Sequence, residues 1–165
     1  MFVESEGGES ADPSAGSADA LFNGTDANLE SASEDTAPAK RRRKLILVID
    51  DSRMMRFAIC DLLRKMGYRT IEAGDAMEGF TRAMDSTPDL IMLDVEMPVQ
   101  NGIELLIELR KIEKHKSTPV IILTVSGDRY DIESAGALNV ADYMLKPPEA
   151  EKLKVSIAKC LELSG

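Results

Sequence analysis

Short apolar runs, each closed by a polar residue, recur along the chain. Leu45-Ile46-Leu47-Val48-Ile49 is followed by Asp50-Asp51, and Leu90-Ile91-Met92-Leu93 by Asp94. Val120-Ile121-Ile122-Leu123 is followed by Thr124, and Tyr143-Met144-Leu145 by Lys146-Pro147. Unbroken runs of this length are the pattern of strands buried on both faces of a parallel sheet. A further strand is expected near Thr70–Ala73, where mixed polarity suits a sheet edge. Between strands the apolar positions fall at helical spacing. Ser52 is the expected N-cap of a helix reaching Met66, with Gly67 as its stop and Met55, Ala58, Ile59, Leu62, Leu63 and Met66 as its buried face. A second helix carries Ala76, Phe80, Ala83 and Met84. A third follows Gly102 with Leu105, Leu106, Leu109 and Ile112. Pro119 opens the next strand, a helix is expected around Arg129–Ala137, and the last helix from Glu149 to Leu163. Strand-then-helix alternation of this kind implies an α/β fold, a parallel sheet with helices on both faces.

In an open parallel sheet, ligands gather at the carboxyl ends of the strands. Asp50, Asp51, Asp94, Thr124 and Lys146 should therefore meet at one mouth. Carboxylates, a hydroxyl and an ammonium suit a divalent cation and a phosphoryl group, not an apolar ligand. Clustered carboxylates repel and raise one another's pKa. Mg²⁺ removes that conflict, accepting carboxylate and water oxygens. With the cation in place, one carboxylate can attack a phosphoryl group. Lys146 can hold a phosphoryl oxygen as a point cation, and Thr124 can donate its hydroxyl. Singly, each residue has an ordinary reading: Asp51 as a helix cap, Lys146 as a solvated loop residue, Thr124 as a strand residue, Tyr143 as half-buried packing. Those readings leave unexplained why the polar residues all fall at one end of the sheet.

Composition narrows the picture. The chain has 165 residues, a net charge of −9, few aromatics and no Trp, so its core must be aliphatic. No stretch approaches the ~18 apolar residues of a membrane span, and no secretory signal opens the chain. Cys60 and Cys160 do not make a disulfide framework. A cytoplasmic protein is expected. Residues 1–39 carry nine acidic residues and no Lys or Arg, with few large apolar residues, and are expected to form an acidic disordered tail. Residues 40–44, Lys-Arg-Arg-Arg-Lys, read as a solvated basic linker at the domain edge, although such runs also serve nuclear import or phosphate binding. The folded domain spans 45–165. Its net acidity argues against direct binding of nucleic acid. His115, in Lys-His-Lys, is expected in an exposed loop. Cys60 is expected off the apolar face of its helix, and Cys160 on that of the last helix, with Leu153, Ile157 and Leu161.

Over 45–165 the chain resembles the receiver domain of two-component response regulators. The resemblance rests on Val48-Ile49-Asp50-Asp51-Ser52, on Leu93-Asp94-Val95-Glu96-Met97-Pro98 with Gly102 soon after, on Leu123-Thr124, and on Tyr143-Met144-Leu145-Lys146-Pro147. It implies a flavodoxin-like, doubly wound (βα)5 fold with strand order 2-1-3-4-5. It implies Asp94 as the phosphoacceptor, with Asp50, Asp51, Asp94 and the backbone carbonyl of Glu96 around Mg²⁺. It implies Thr124 as a switch hydroxyl, Tyr143 as the aromatic that turns inward when Thr124 engages the phosphoryl group, and Lys146 as the phosphoryl-binding cation. A cis Lys146–Pro147 peptide is also implied. Asp51-Ser52-Arg53-Met54-Met55-Arg56 is similar to the start of chemotaxis regulators of the CheY type. The chain departs from the family at Val125, where a small residue is usual and where bulk would narrow access to Asp94. It departs again at Pro148, often Phe, while Glu96 and Ser126 lie where they would tune phosphoryl lifetime.

The expected function is a response regulator without an output domain, since about one helix follows Lys146. It would accept phosphate from a histidine kinase and signal to a protein through the helix near 129–137, the last strand and the last helix. The expected state is a monomer or a weak phosphorylation-dependent dimer, with no membrane partner and no turnover of an external substrate beyond its own phosphorylation cycle. Rivals are a phosphorelay shuttle or phosphate sink, and a scaffolding module with a vestigial site. A haloacid-dehalogenase-type enzyme would need Asp-x-Asp after the first strand, which Asp51-Ser52-Arg53 does not supply.

Overall fold

The computed structural model describes residues 42–125 and 138–162. In chain order these form β1 (Leu45–Ile49), α1 (Arg53–Lys65), β2 (Arg69–Ala73), α2 (Ala76–Ser86), β3 (Leu90–Asp94), α3 (Gly102–Arg110), a 3-10 turn (Glu113–His115), β4 (Val120–Thr124), β5 (Asp142–Leu145) and α4 (Ala150–Glu162). The strands make one five-stranded parallel sheet in the order β2-β1-β3-β4-β5. This is the flavodoxin-like arrangement that the resemblance implies. The helix expected around 129–137, and Ser126, lie outside the described residues.

The period of two along a strand divides the core into two layers. Leu47, Ile49, Ile91, Leu93 and Ile122 face one side, against Ala76 and Ala83 of α2 and Leu105, Leu106 and Leu109 of α3. Ile46, Val48, Leu90, Met92, Ile121 and Leu123 face the other, against Ile59, Cys60 and Leu63 of α1 and Leu153, Ile157 and Cys160 of α4. β1 and β3 are buried at every residue because both faces are covered, whereas β2 and β5 at the edges are only partly buried.

The helix starts are fixed locally. Ser52 caps α1 by accepting the Met55 N–H, and Asn101 caps α3 by accepting the Ile103 N–H at 2.8 Å. Asp75 accepts the Glu78 N–H at 2.7 Å, while the Glu78 carboxylate takes the Gly74 N–H at 2.9 Å. Gly67, at φ +92°, ends α1 where a side chain would be strained.

Four expectations need correction. Ala58 is exposed and Cys60 is fully buried, so the buried face of α1 is turned toward Cys60. Ile112 lies beyond the end of α3. His115 is buried, because the 3-10 turn directs it inward while Lys114 and Lys116 stay in solvent. The basic run is not merely solvated: Arg42 and Lys44 each pair with Asp89 at 3.2 Å. Asp89 also accepts the Leu45 N–H at 2.7 Å. Burial would raise the Asp89 pKa, but that N–H and the two cations outweigh it and hold the carboxyl below its ordinary value.

Candidate metal and phosphoryl site

Register brings the acidic residues together. Ile49 of β1 stands beside Leu93 of β3, so Asp50 and Asp94 leave adjacent strands at the same level. Asp94 is itself still paired, with Leu123 of β4, and Thr124 is paired with Leu145 of β5, so Lys146 emerges one residue further. Asp50, Asp51 and Asp94 offer carboxylate oxygens that all lie within 4.8 Å of one another. Lys146 Nζ lies 3.1 Å from Asp50 Oδ2 and 2.8 Å from Asp94 Oδ2.

Each buried carboxylate is oriented by the N–H two residues further on, the short loop that aspartate favours. Ser52 N–H donates to Asp50 Oδ1 at 2.8 Å, and Glu96 N–H to Asp94 Oδ1 at 2.9 Å. The outer oxygens are thereby turned toward Lys146. Asp94 Oδ2 has the ammonium beside it but accepts no hydrogen bond of regular geometry. Asp50 and Asp94 are both fully buried, while Asp51 is exposed at the mouth.

Electrostatics follow from this packing. Burial pushes the Asp50 carboxyl above its ordinary pKa, against the pull of Lys146 and the Ser52 N–H. Burial alone would lower Lys146, but hydrogen bonds and charge from Asp94 and Asp50 outweigh it and raise its pKa. Fully ionised, three carboxylates and one ammonium leave two negative charges uncompensated. At an effective dielectric of about 20, like charges about 5 Å apart repel by about 3–4 kcal/mol per pair. A cluster of oxygens with excess negative charge and an under-used buried oxygen fits a hard divalent cation. Asp50, Asp51 and Asp94 are the residues that could hold it.

The other expected residues sit around this centre. Thr124 closes β4, and its carbonyl accepts the Lys146 N–H at 2.8 Å. Glu96 is exposed beside Asp94, and Val125 is 62 % exposed, directed to solvent at the rim. Tyr143 lies two residues before Leu145 on β5, half-buried against the core layer of α2 and α3 and not at the mouth. The Lys146–Pro147 peptide is cis.

Two further features position the site. A Cβ on Gly102 would stand 2.1 Å from the Asp94 carbonyl oxygen, so only glycine lets the start of α3 lie against the end of β3. Arg56 Nη1 donates to the Asp50 carbonyl at 2.7 Å and to the Asp51 carbonyl at 3.2 Å. Arg56 closes the Asp51–Arg56 motif, but its contact with the turn was not legible from its position on a helix.

Residues 46–158 match the response regulator receiver domain. Among curated proteins, the sensor histidine kinase CheAY of Helicobacter pylori is 31 % identical over 123 residues, 73 % of this chain and 15 % of that protein. Response regulator ArlR of Staphylococcus aureus is 32 % identical over 118 residues, 72 % of this chain and 52 % of that protein. The chain thus spans about half the length of ArlR, and far less of CheAY. Among solved structures, chemotaxis protein CheY4 of Vibrio cholerae superposes with a TM-score of 0.69 at 28 % identity, covering 72 % of this chain and 99 % of that one. The receiver domain of sensor histidine kinase PA1611 from Pseudomonas aeruginosa, described with a magnesium ion coordinated in its active-site cleft, gives 0.67 at 26 % identity, covering 73 % and 98 %.

Proposed function

Given that the chain belongs to the response regulator receiver family, a family of phosphoacceptor signalling domains, we propose that it accepts a phosphoryl group on Asp94 in a Mg²⁺-dependent reaction. The donor would be a phosphohistidine of a histidine kinase. The observation that carries this reading is Asp94 Oδ2, buried, beside one ammonium and without a regular hydrogen bond, in a cluster of excess negative charge. A similar receiver domain holding magnesium in its cleft supports the choice of cation.

The residues divide the work. Asp94 Oδ2 forms the bond to phosphorus, and the imidazole of the donor departs with the electron pair of the broken P–N bond. The Glu96 N–H holds Asp94 Oδ1 so that Oδ2 stays aimed outward. Lys146, already between Asp50 and Asp94, shifts to the incoming phosphoryl oxygens. Asp50 and Asp51, with Asp94 and the Glu96 carbonyl, would hold Mg²⁺. The bound cation supplies neutralisation of the charge that the phosphoryl group brings. The Thr124 hydroxyl donates to the phosphoryl group, and Tyr143 turns inward in response. A target protein reads that change through residues 129–137, β5 and α4. We place the domain in the cytoplasm and connect it with motility on the Asp51–Arg56 motif. Among the described residues no helix is long and apolar enough to cross a membrane.

Asp51→Ala tests the metal half of this reading. Asp51 is exposed, so the variant should melt with the wild type, yet lose Mg²⁺-dependent phosphate uptake from acetyl phosphate. Normal uptake by the variant would reduce Asp51 to a helix-end residue. A shuttle role would instead show as transfer from phosphorylated Asp94 to a histidine protein.

A further inference from the structure

Arg56 lies in α1, yet its guanidinium reaches back over the turn between β1 and α1. One of its terminal nitrogens, Nη1, donates to both the Asp50 and Asp51 carbonyl oxygens, at 2.7 and 3.2 Å. On its other sides Nε is buried without a hydrogen bond, 3.8 Å from Glu72 Oε2 on β2, and Nη1 lies beside Gly74. The Arg56 side chain is only 16 % exposed, so the two carbonyls hold it rather than solvent. The same turn is tied to β2 by Asp50 N–H to the Ala73 carbonyl at 3.2 Å.

What Arg56 does not touch is equally informative. A cation bonded to the carboxylates of Asp50 and Asp51 would compete with a metal ion. By donating to their carbonyls, Arg56 fixes the turn and leaves the Asp51 carboxylate open. We propose that Arg56 is a positioning residue for the divalent cation: it holds the β1–α1 turn so that the Asp50 and Asp51 carboxylates face Asp94. The proposal rests on the metal reading above.

Charge and position predict opposite signs, which makes the idea testable. If Arg56 acted only as a nearby positive charge, removing it would strengthen Mg²⁺ binding. If it positions the carboxylates, removal weakens binding by about 10–100-fold, the range for groups that orient metal ligands. Calorimetric titration of the full chain with MgCl₂ would compare wild type, Arg56→Met and Arg56→Lys, alongside melting in EDTA. We expect Arg56→Met to bind Mg²⁺ about 10-fold or more weakly. Arg56→Lys should fall between, since its Nζ reaches one bond less far than Nη1 and stands further from both carbonyls. Tighter binding by Arg56→Met, or equal binding with a lower melting temperature, would overturn the proposal. If Arg56→Met does not fold, Arg56→Lys decides: affinity below wild type supports the role, and equal affinity overturns it. Wild-type protein that binds no Mg²⁺ would instead overturn the metal reading itself.

Discussion

Asp94 places its carboxyl group where water does not reach it, with one oxygen accepting a backbone N–H and the other facing an ammonium. Such a group is stable only while its few partners stay in place, since an uncompensated buried charge costs several kcal/mol. His115 is another buried polar residue, and packing sets its protonation. Burial lowers its pKa first, and the Lys114 and Arg110 charges add to that, against the Ala83 backbone acceptor. The folded protein therefore keeps His115 neutral, while the unfolded chain protonates it near the ordinary value of ~6.5. The unfolded state then binds more protons, so stability falls as pH drops below about 6.5. Asp50, with a raised pKa, has the opposite sign, its penalty being relieved as pH falls. His115 is the only histidine in the chain. Urea unfolding of His115→Gln at pH 7.5 and 5.5 should show a smaller stability difference than wild type. An unchanged difference would contradict the buried neutral imidazole.

At the scale of elements, the site depends on how closely helices approach strand ends. Gly102→Ala places a methyl 2.1 Å from the Asp94 carbonyl oxygen, so α3 or the end of β3 must move. Overpacking of this kind costs about 1–3 kcal/mol, measurable by denaturant unfolding, and phosphate uptake should fall with it. Wild-type stability and uptake in this variant would mean that the contact yields without effect. The strands were legible because unbroken apolar runs leave no exposed face. Their ends were not, since Asp94 and Thr124 remain paired in the ladder, which hydropathy does not register. The mouth of carboxylates and Lys146 was legible because strand ends and polar residues coincide. Arg56 and His115 were hidden for a common reason. Their partners are backbone groups and tertiary neighbours, and Lys-His-Lys reads as exposed until a 3-10 turn buries its middle residue.

For the molecule as a whole, phosphorylation must shift an equilibrium between two conformations by its differential contacts with them. Moving a population from 1:99 to 99:1 requires about 5.5 kcal/mol. One hydroxyl hydrogen bond to a charged group supplies about 1.5–3 kcal/mol. Under the proposed mechanism Thr124 alone would give a partial switch, and Lys146, released from Asp50 and Asp94, would contribute the rest. If Tyr143 turns inward as proposed, its ring would give a readout that needs no partner. With Mg²⁺ and beryllofluoride, its ring resonances should shift in wild type and shift much less in Thr124→Ala. Equal shifts would break the proposed coupling.

Phosphoryl transfer is assigned to one oxygen of one residue, Asp94 Oδ2, and intact-mass analysis after incubation with acetyl phosphate and Mg²⁺ tests that assignment directly. Wild type should gain a single phosphoryl group, lose it when EDTA replaces Mg²⁺ during incubation, and show no gain in Asp94→Asn. Uptake by Asp94→Asn equal to wild type would place the phosphoryl group elsewhere and contradict the account.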